Sequence, residues 1–449
     1  MLTAPRRPGL LVLVLLTAAR PGLAQSCLCG TAADEFVAAR VGLVREWVVQ
    51  VPFDSAASRL EHVVVGESLV AAQGGDGTVA AIVASAVPGG PRSGTVAWST
   101  MIGREPAPVE KAGIGGRAVA VARGDELTLL DAGTGQVLWQ RPLRTVASAA
   151  AVPSAGWVYA PLDGGGMTRF PENPNAVPPQ AAAPAAADDE ADDRAAEAAT
   201  ADGPRPGERL DPVDLSTDGE VDFPPLPYSG GVLWCTVDGR MTALVRTATA
   251  SRRLDFDLGG PASGPPVVRD GDVFVATRAG DVARLARSPQ GLTANSGVIK
   301  DENDQEVTFN GWHTIIDAVP EGSPVVSAQA VVLSLGPSGV AAFSTATGEL
   351  LWQVPAAGRP LAITGDVVWC HEDTGFLVAR DLATGARRGR LCLGCFTLPV
   401  VNTVSERLVL ASPGGLVVSL APRRTVAAEP PVQVEPTEPV TEPENAGSE

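Results

Sequence analysis

Cys392-Leu393-Gly394-Cys395 places two thiols at the spacing of a redox pair. Such a pair becomes reactive when it opens a helix, whose N-terminus lowers the leading thiol's pKa. The flanking sequence reads as two strands instead, so the spacing predicts a local Cys392–Cys395 disulfide or two inert thiols. Cys27 and Cys29 are alternative partners, for each other or for either member of the pair, and the connectivity stays open. Cys235 and Cys370 each follow a Trp at matching places and are expected to be buried and free. His62, His313 and His371 lie far apart, without the spacing of zinc ligands, and each reads as structural. No nucleophile elbow accompanies them. Asp301-Glu302-Asn303-Asp304 has the oxygen types that calcium takes, but not the spacing of a binding loop. It sits in the excursion Ser288 to Trp312, expected to be a solvated loop. No residue is assigned to catalysis, a cofactor or a metal.

The elements around these residues follow one grammar. Leu127-Thr128-Leu129-Leu130 is an apolar run, Asp131-Ala132-Gly133-Thr134-Gly135 a tight turn, and Gln136-Val137-Leu138-Trp139 a second run ending in Trp. The pattern returns at Ser344-Thr345-Ala346-Thr347-Gly348 with Trp352, and at Asp381-Leu382-Ala383-Thr384-Gly385 with Gly389 in place of Trp. A shorter echo, Ser93-Gly94-Thr95-Val96-Ala97-Trp98, lies upstream. A turn followed by an apolar strand recurs eight times, starting at Gly66, Gly116, Gly156, Gly231, Gly271, Gln329, Gly365 and Glu406. Most of these intervals fit a four-stranded propeller blade. The expectation is an all-β, eight-bladed propeller of antiparallel blades over residues 44–422, with seven blades as the alternative. The last unit lacks an outer strand, and Trp47-Val48-Val49-Gln50-Val51 resembles one, so this N-terminal strand is expected to close the ring.

Composition sets the surroundings. Gly (49) and Pro (39) are abundant, as many short strands and turns require. The net charge of −17 is carried mostly by residues 171–222 and by the tail, leaving the rest close to neutral. No basic face is left to neutralise phosphates, which argues against nucleic acid. Ala181 to Asp193 offers no apolar face to bury, so 171–222 is expected to be a disordered Ala/Pro/acidic insertion, and 423–449 a disordered Pro/Glu-rich tail. Residues 1–24 have the order of a secretory signal, with Arg6 and Arg7, an apolar run, then small residues. Residues 25–43 read as a linker. No later stretch is long and apolar enough for a transmembrane helix. The expected location is the periplasm or cell envelope, with a lipid anchor at Cys27 as a further option.

The repeats resemble the PQQ-like, quinoprotein-type β-propeller family over roughly residues 40–422. Asp131, Thr134, Gly135 and Trp139 match its repeat core, as do Thr347, Gly348 and Trp352, with Ser344 for the Asp. Asp381, Thr384 and Gly385 match without the Trp. The resemblance implies that the Trp docks between blades. One branch consists of dehydrogenases holding the quinone PQQ with calcium against a disulfide of adjacent cysteines. No Cys-Cys pair occurs here. The other branch, similar to the BamB-type subunit of outer-membrane protein assembly, has the propeller without the cofactor. The expected function is therefore a non-catalytic, cofactor-free interaction scaffold for envelope proteins, as a monomer or a subunit of a larger complex. A quinoprotein-derived small-molecule-binding or dehydrogenase-like propeller is the alternative. The expected contact segments are Gly89 to Gly94, Ser288 to Trp312 and the base of the 171–222 insertion.

Overall fold

The computed structural model describes residues 30–423 except 57, 87–89, 104–106, 174–210, 247–250, 289–290, 301–305 and 356–357. The expected signal, Cys27, Cys29, the Asp301–Asp304 cluster and nearly all of the expected tail lie outside the described residues.

Eight antiparallel sheets follow one another around a ring, and they are the expected blades. Counted from the N-terminus, blades one to seven span 60–101, 113–142, 152–215, 226–257, 267–315, 321–354 and 359–392. In each, strand order follows chain order from the innermost strand outward. The eighth is built from both ends of the chain. Strand Leu43–Gln50 pairs antiparallel with Leu416–Pro422, which pairs with Leu408–Ala411. Its innermost strand is reduced to a bridge between Leu398 and Ala411. Trp47 faces Ser419 in this register. Arg407 Nε donates to Glu46 Oε2 at 2.6 Å, tying the two ends of the chain together by an ion pair as well.

The apolar pattern explains this arrangement. Second and third strands are covered on both faces, so Thr78–Val83 and Val119–Ala122 are buried throughout. Outer strands have one face on the next blade and one in water. Val96–Met101 accordingly alternates around buried Trp98. Eight separate hydrophobic clusters result, and each joins one blade to its neighbour. The cluster uniting Trp47, Val409 and Val417 with Leu60, Ala80 and Ile82 joins the last blade to the first. Each of the eight blade-to-blade interfaces therefore has its own hydrophobic cluster, and together they close the ring.

Three expectations about segments need correction. Residues 25–43 are not a plain linker where they are described. Ala32, Ala33 and Ala38 are fully buried against the seventh and eighth blades, around the short helix Glu35–Ala39, whose N-terminus Asp34 caps. The 171–222 insertion is shorter than expected. Pro171 ends a strand, Val213–Leu215 is the outer strand of the third blade, and Val221 is buried between blades three and four. Residues 174–210 lie outside the described residues. Finally, Ser288 to Trp312 is not simply a solvated loop. It holds a hairpin, Ser296–Lys300 paired with Glu306–Asn310, inserted within the outer strand of the fifth blade. Gly291–Thr293 and Trp312–Ile315 pair on either side of it with the same neighbour, Asp281–Ser288.

Candidate functional site

The repeat residues do packing chemistry. Asp131 Oδ1 accepts from Gly133 N, Thr134 N and Thr134 Oγ1 at 3.1, 2.8 and 2.9 Å. These bonds close the turn and hold the Asp131 carboxyl below its ordinary pKa, with the Thr134 hydroxyl the largest cause. The turn then presents Gly135, at φ 70°, to the preceding blade. Trp98 of blade one lies on that glycine, and its Nε1 donates to Ala132 O at 2.8 Å. A side chain at Gly135 would occupy the ring's place. Trp352 sits on Gly385 in the same way and donates to Leu382 O at 2.8 Å. Asp381 closes that turn through Thr384, as Ser344 Oγ does for Thr347 N.

Strand register locates the docking position in every blade. It holds Trp98, Trp139, Trp312, Trp352 and Trp47 in blades one, two, five, six and eight. Val213, Leu254 and Gly389 occupy it in blades three, four and seven. Trp312 is the member that sequence spacing misses, because the inserted hairpin separates it from its turn. It rests on Gly348 and donates to Thr345 O at 2.9 Å. The gap at Gly389 is filled from elsewhere in the chain. A Cβ there would lie 2.7 Å from Val41 Cγ1, so the N-terminal segment takes the volume of the missing indole. Trp139 matches the family repeat fully yet is only half-buried. No Gly turn of the next blade is found against it among the described residues. Trp139 packs on Phe170 instead and donates to Glu172 O at 3.0 Å.

The cysteines differ from the local pairing. Cys392 is free and exposed, whereas Cys395 is disulfide-bonded to a partner outside the described residues. Cys392 ends a strand, and no helix begins before Cys395. The N-terminal segment crosses this turn: Ala32 N donates to Cys392 O at 2.7 Å. Cys235 and Cys370 are buried and free, and burial pushes each thiol up to about 12.

The histidines are dispersed. His62 Nε2 bonds Val109 O at 2.9 Å, and burial lowers the pKa of half-buried His371. His313 Nε2 lies 2.8 Å from Asp281 Oδ1, a pairing that sequence distance concealed. Among the described residues, no three metal-ligating side chains form a cluster. No helix among them is long and apolar enough to cross a membrane.

The expected contact segments share one topological position. In chain order, Gly89 to Gly94, the base of the expected 171–222 insertion and the start of Ser288 to Trp312 follow the third strands of their blades, the first, third and fifth. Third strands of a propeller run in one sense, so these connections emerge at one end of the ring. The Asp131, Ser344 and Asp381 turns are at that end too. Gly94 itself is covered by Trp47, and Pro91, Arg92 and Thr95 are exposed on either side of it.

Comparison with known proteins accords with this geometry. The family model described as outer membrane protein assembly factor BamB matches residues 316–391, which span the sixth and seventh blades. BamB from Moraxella catarrhalis superposes over 84% of this chain and 97% of its own, with 18% identity and a TM-score of 0.55. The computationally designed Ika8 protein and Sqt1 of Saccharomyces cerevisiae each superpose over 84% of this chain and 98% of theirs. Both have 12% identity and a TM-score of 0.50. Among curated proteins, subtilisin-like protease 3 of Trichophyton equinum and of Arthroderma benhamiae are each 34% identical over 109 residues, or 22% of this chain. The chain spans about a quarter (26%) of the length of these curated relatives. The closed ring of eight sheets makes this chain a β-propeller, and the match over its sixth and seventh blades makes those repeats similar to the PQQ-like, BamB-like family.

Proposed function

We propose that this protein is a non-catalytic, cofactor-free scaffold of the cell envelope, binding protein partners in outer-membrane protein assembly. The observation that carries the reading is the placement of the chain's elaborations. The ring is rigidly closed, and its longest departures from the repeat, the 174–210 segment and the inserted hairpin, interrupt the outer parts of blades three and five. Loops on a rigid scaffold are where binding residues are placed. The Trp and Asp positions that the repeat fixes are spent on blade packing, so recognition falls to these segments. Likeness to BamB supports the kind of partner, and the leader-like residues 1–24 support export.

The test is affinity purification of the tagged full chain from cross-linked envelope fractions, beside a variant lacking 174–210. Recovery of outer-membrane assembly components with the full chain, reduced by the deletion, is the expected result. An intact tagged protein that recovers none of them overturns the reading.

A further inference from the structure

Between the fourth and fifth blades lies a cavity of about 330 Å³, within the usual size range of small-molecule sites. A departure from the repeat borders it: the outer strand of the fifth blade is split by the inserted hairpin, and His313, with Ala294 and Asn295, lines the cavity from there. The walls are apolar: Phe256, Leu258, Val275, Ala283 and Ala294. The polar lining is Asp257, Asp281, Thr277, Asn295 and His313, and its two acids are the only carboxylates among them. Asp281 is fixed by His313 Nε2 on Oδ1 at 2.8 Å and by Thr277 Oγ1 on Oδ2 at 3.0 Å. Asp257, at the exposed edge, accepts from Gly259 N at 2.9 Å through Oδ1. Neither Lys nor Arg lines the cavity.

We propose that this cavity binds a small arylalkylamine, with the ring against the apolar walls and the ammonium held by Asp257 and Asp281. Two carboxylates beside an apolar chamber favour a cation that brings its own hydrophobic group. A buried ammonium needs such an opposite charge, and with His313 already turned to Asp281 the two carboxylates disfavour an anion there. Asp281 is already oriented by its neighbours, so little ordering is required when the ligand arrives. The inference stands whether or not a protein partner is recovered from the envelope.

Calorimetric titration of the full chain with phenethylamine tests it, with hydrocinnamate as the anionic counterpart and butylamine as the ringless amine. Phenethylamine is expected to bind saturably, and both comparison compounds at least about tenfold more weakly. Asp257→Asn is expected to weaken phenethylamine about tenfold, and Ala283→Leu, which fills the chamber, to abolish binding. Asp257 is exposed, so its variant remains decisive even where Ala283→Leu fails to fold. No saturable binding of phenethylamine, equal binding of hydrocinnamate, or full affinity in Asp257→Asn overturns the proposal.

Discussion

Trp352 shows what a single repeat residue contributes. Its indole is buried between two blades, stacked on a glycine that admits no side chain, and its N–H is satisfied by Leu382 O. Removing it leaves a cavity that neighbouring strands, held by their own ladders, cannot collapse into. Trp352→Ala is expected to destabilise the protein by roughly 3–5 kcal/mol. Trp139→Ala is expected to cost clearly less, because that ring is half-buried and already touches solvent. Denaturant unfolding of both variants checks the order. Equal losses would mean that the Gly turn adds nothing to the dock. Sequence alone expects both rings to dock between blades and does not separate them, although Trp139 carries the full family motif and Trp352 an altered one. The motif records the turn within a blade; burial depends on the turn of the next blade, which the local spacing does not contain.

At the scale of an element, the Asp381 turn joins two tasks. Its Oδ1 closes the turn through Thr384, and its Oδ2 pairs with Arg388, which also reaches Asp366 Oδ2 at 2.6 Å. Arg388 is the largest cause that lowers the Asp381 carboxyl to about 2, below the ordinary value of roughly 3.9. A depressed folded pKa adds stability above the unfolded value and loses it as pH falls through the folded one. Asp381→Asn keeps an acceptor for the turn and removes the charge. The melting temperature of the native protein should therefore exceed that of Asp381→Asn at neutral pH. The gap should shrink as pH falls from about 4 towards 2. A gap independent of pH would show that the charge contributes nothing. Elements of this kind were legible because Asp, Thr and Gly at fixed offsets describe a local turn. Val213–Leu215 was not, since an acidic segment precedes it and only pairing with Met167–Arg169 makes it a strand. The packed N-terminal segment was hidden similarly. Its Ala-rich stretch has no strong pattern of its own and gains its place from the gap at Gly389 and the turn at Cys395.

For the whole molecule, eight turn-strand units and one displaced outer strand were enough to read the ring and its closure, because each blade repeats the same burial pattern. The proposed contact face was legible only as three separate segments, and topology brings them to one end. The His313–Asp281 pair and its cavity came from the meeting of blades four and five, which no motif spans. The central claim is that this end of the ring holds a protein partner. Site-specific photocross-linking in cells tests it most directly, with the reactive group placed at Ser93 or Val298 and, on the opposite end, at Ser338. Adducts with an outer-membrane assembly component are expected from Ser93 or Val298 and none from Ser338. Adducts from Ser338 alone, or none from any position in a protein that reaches the envelope, would contradict it.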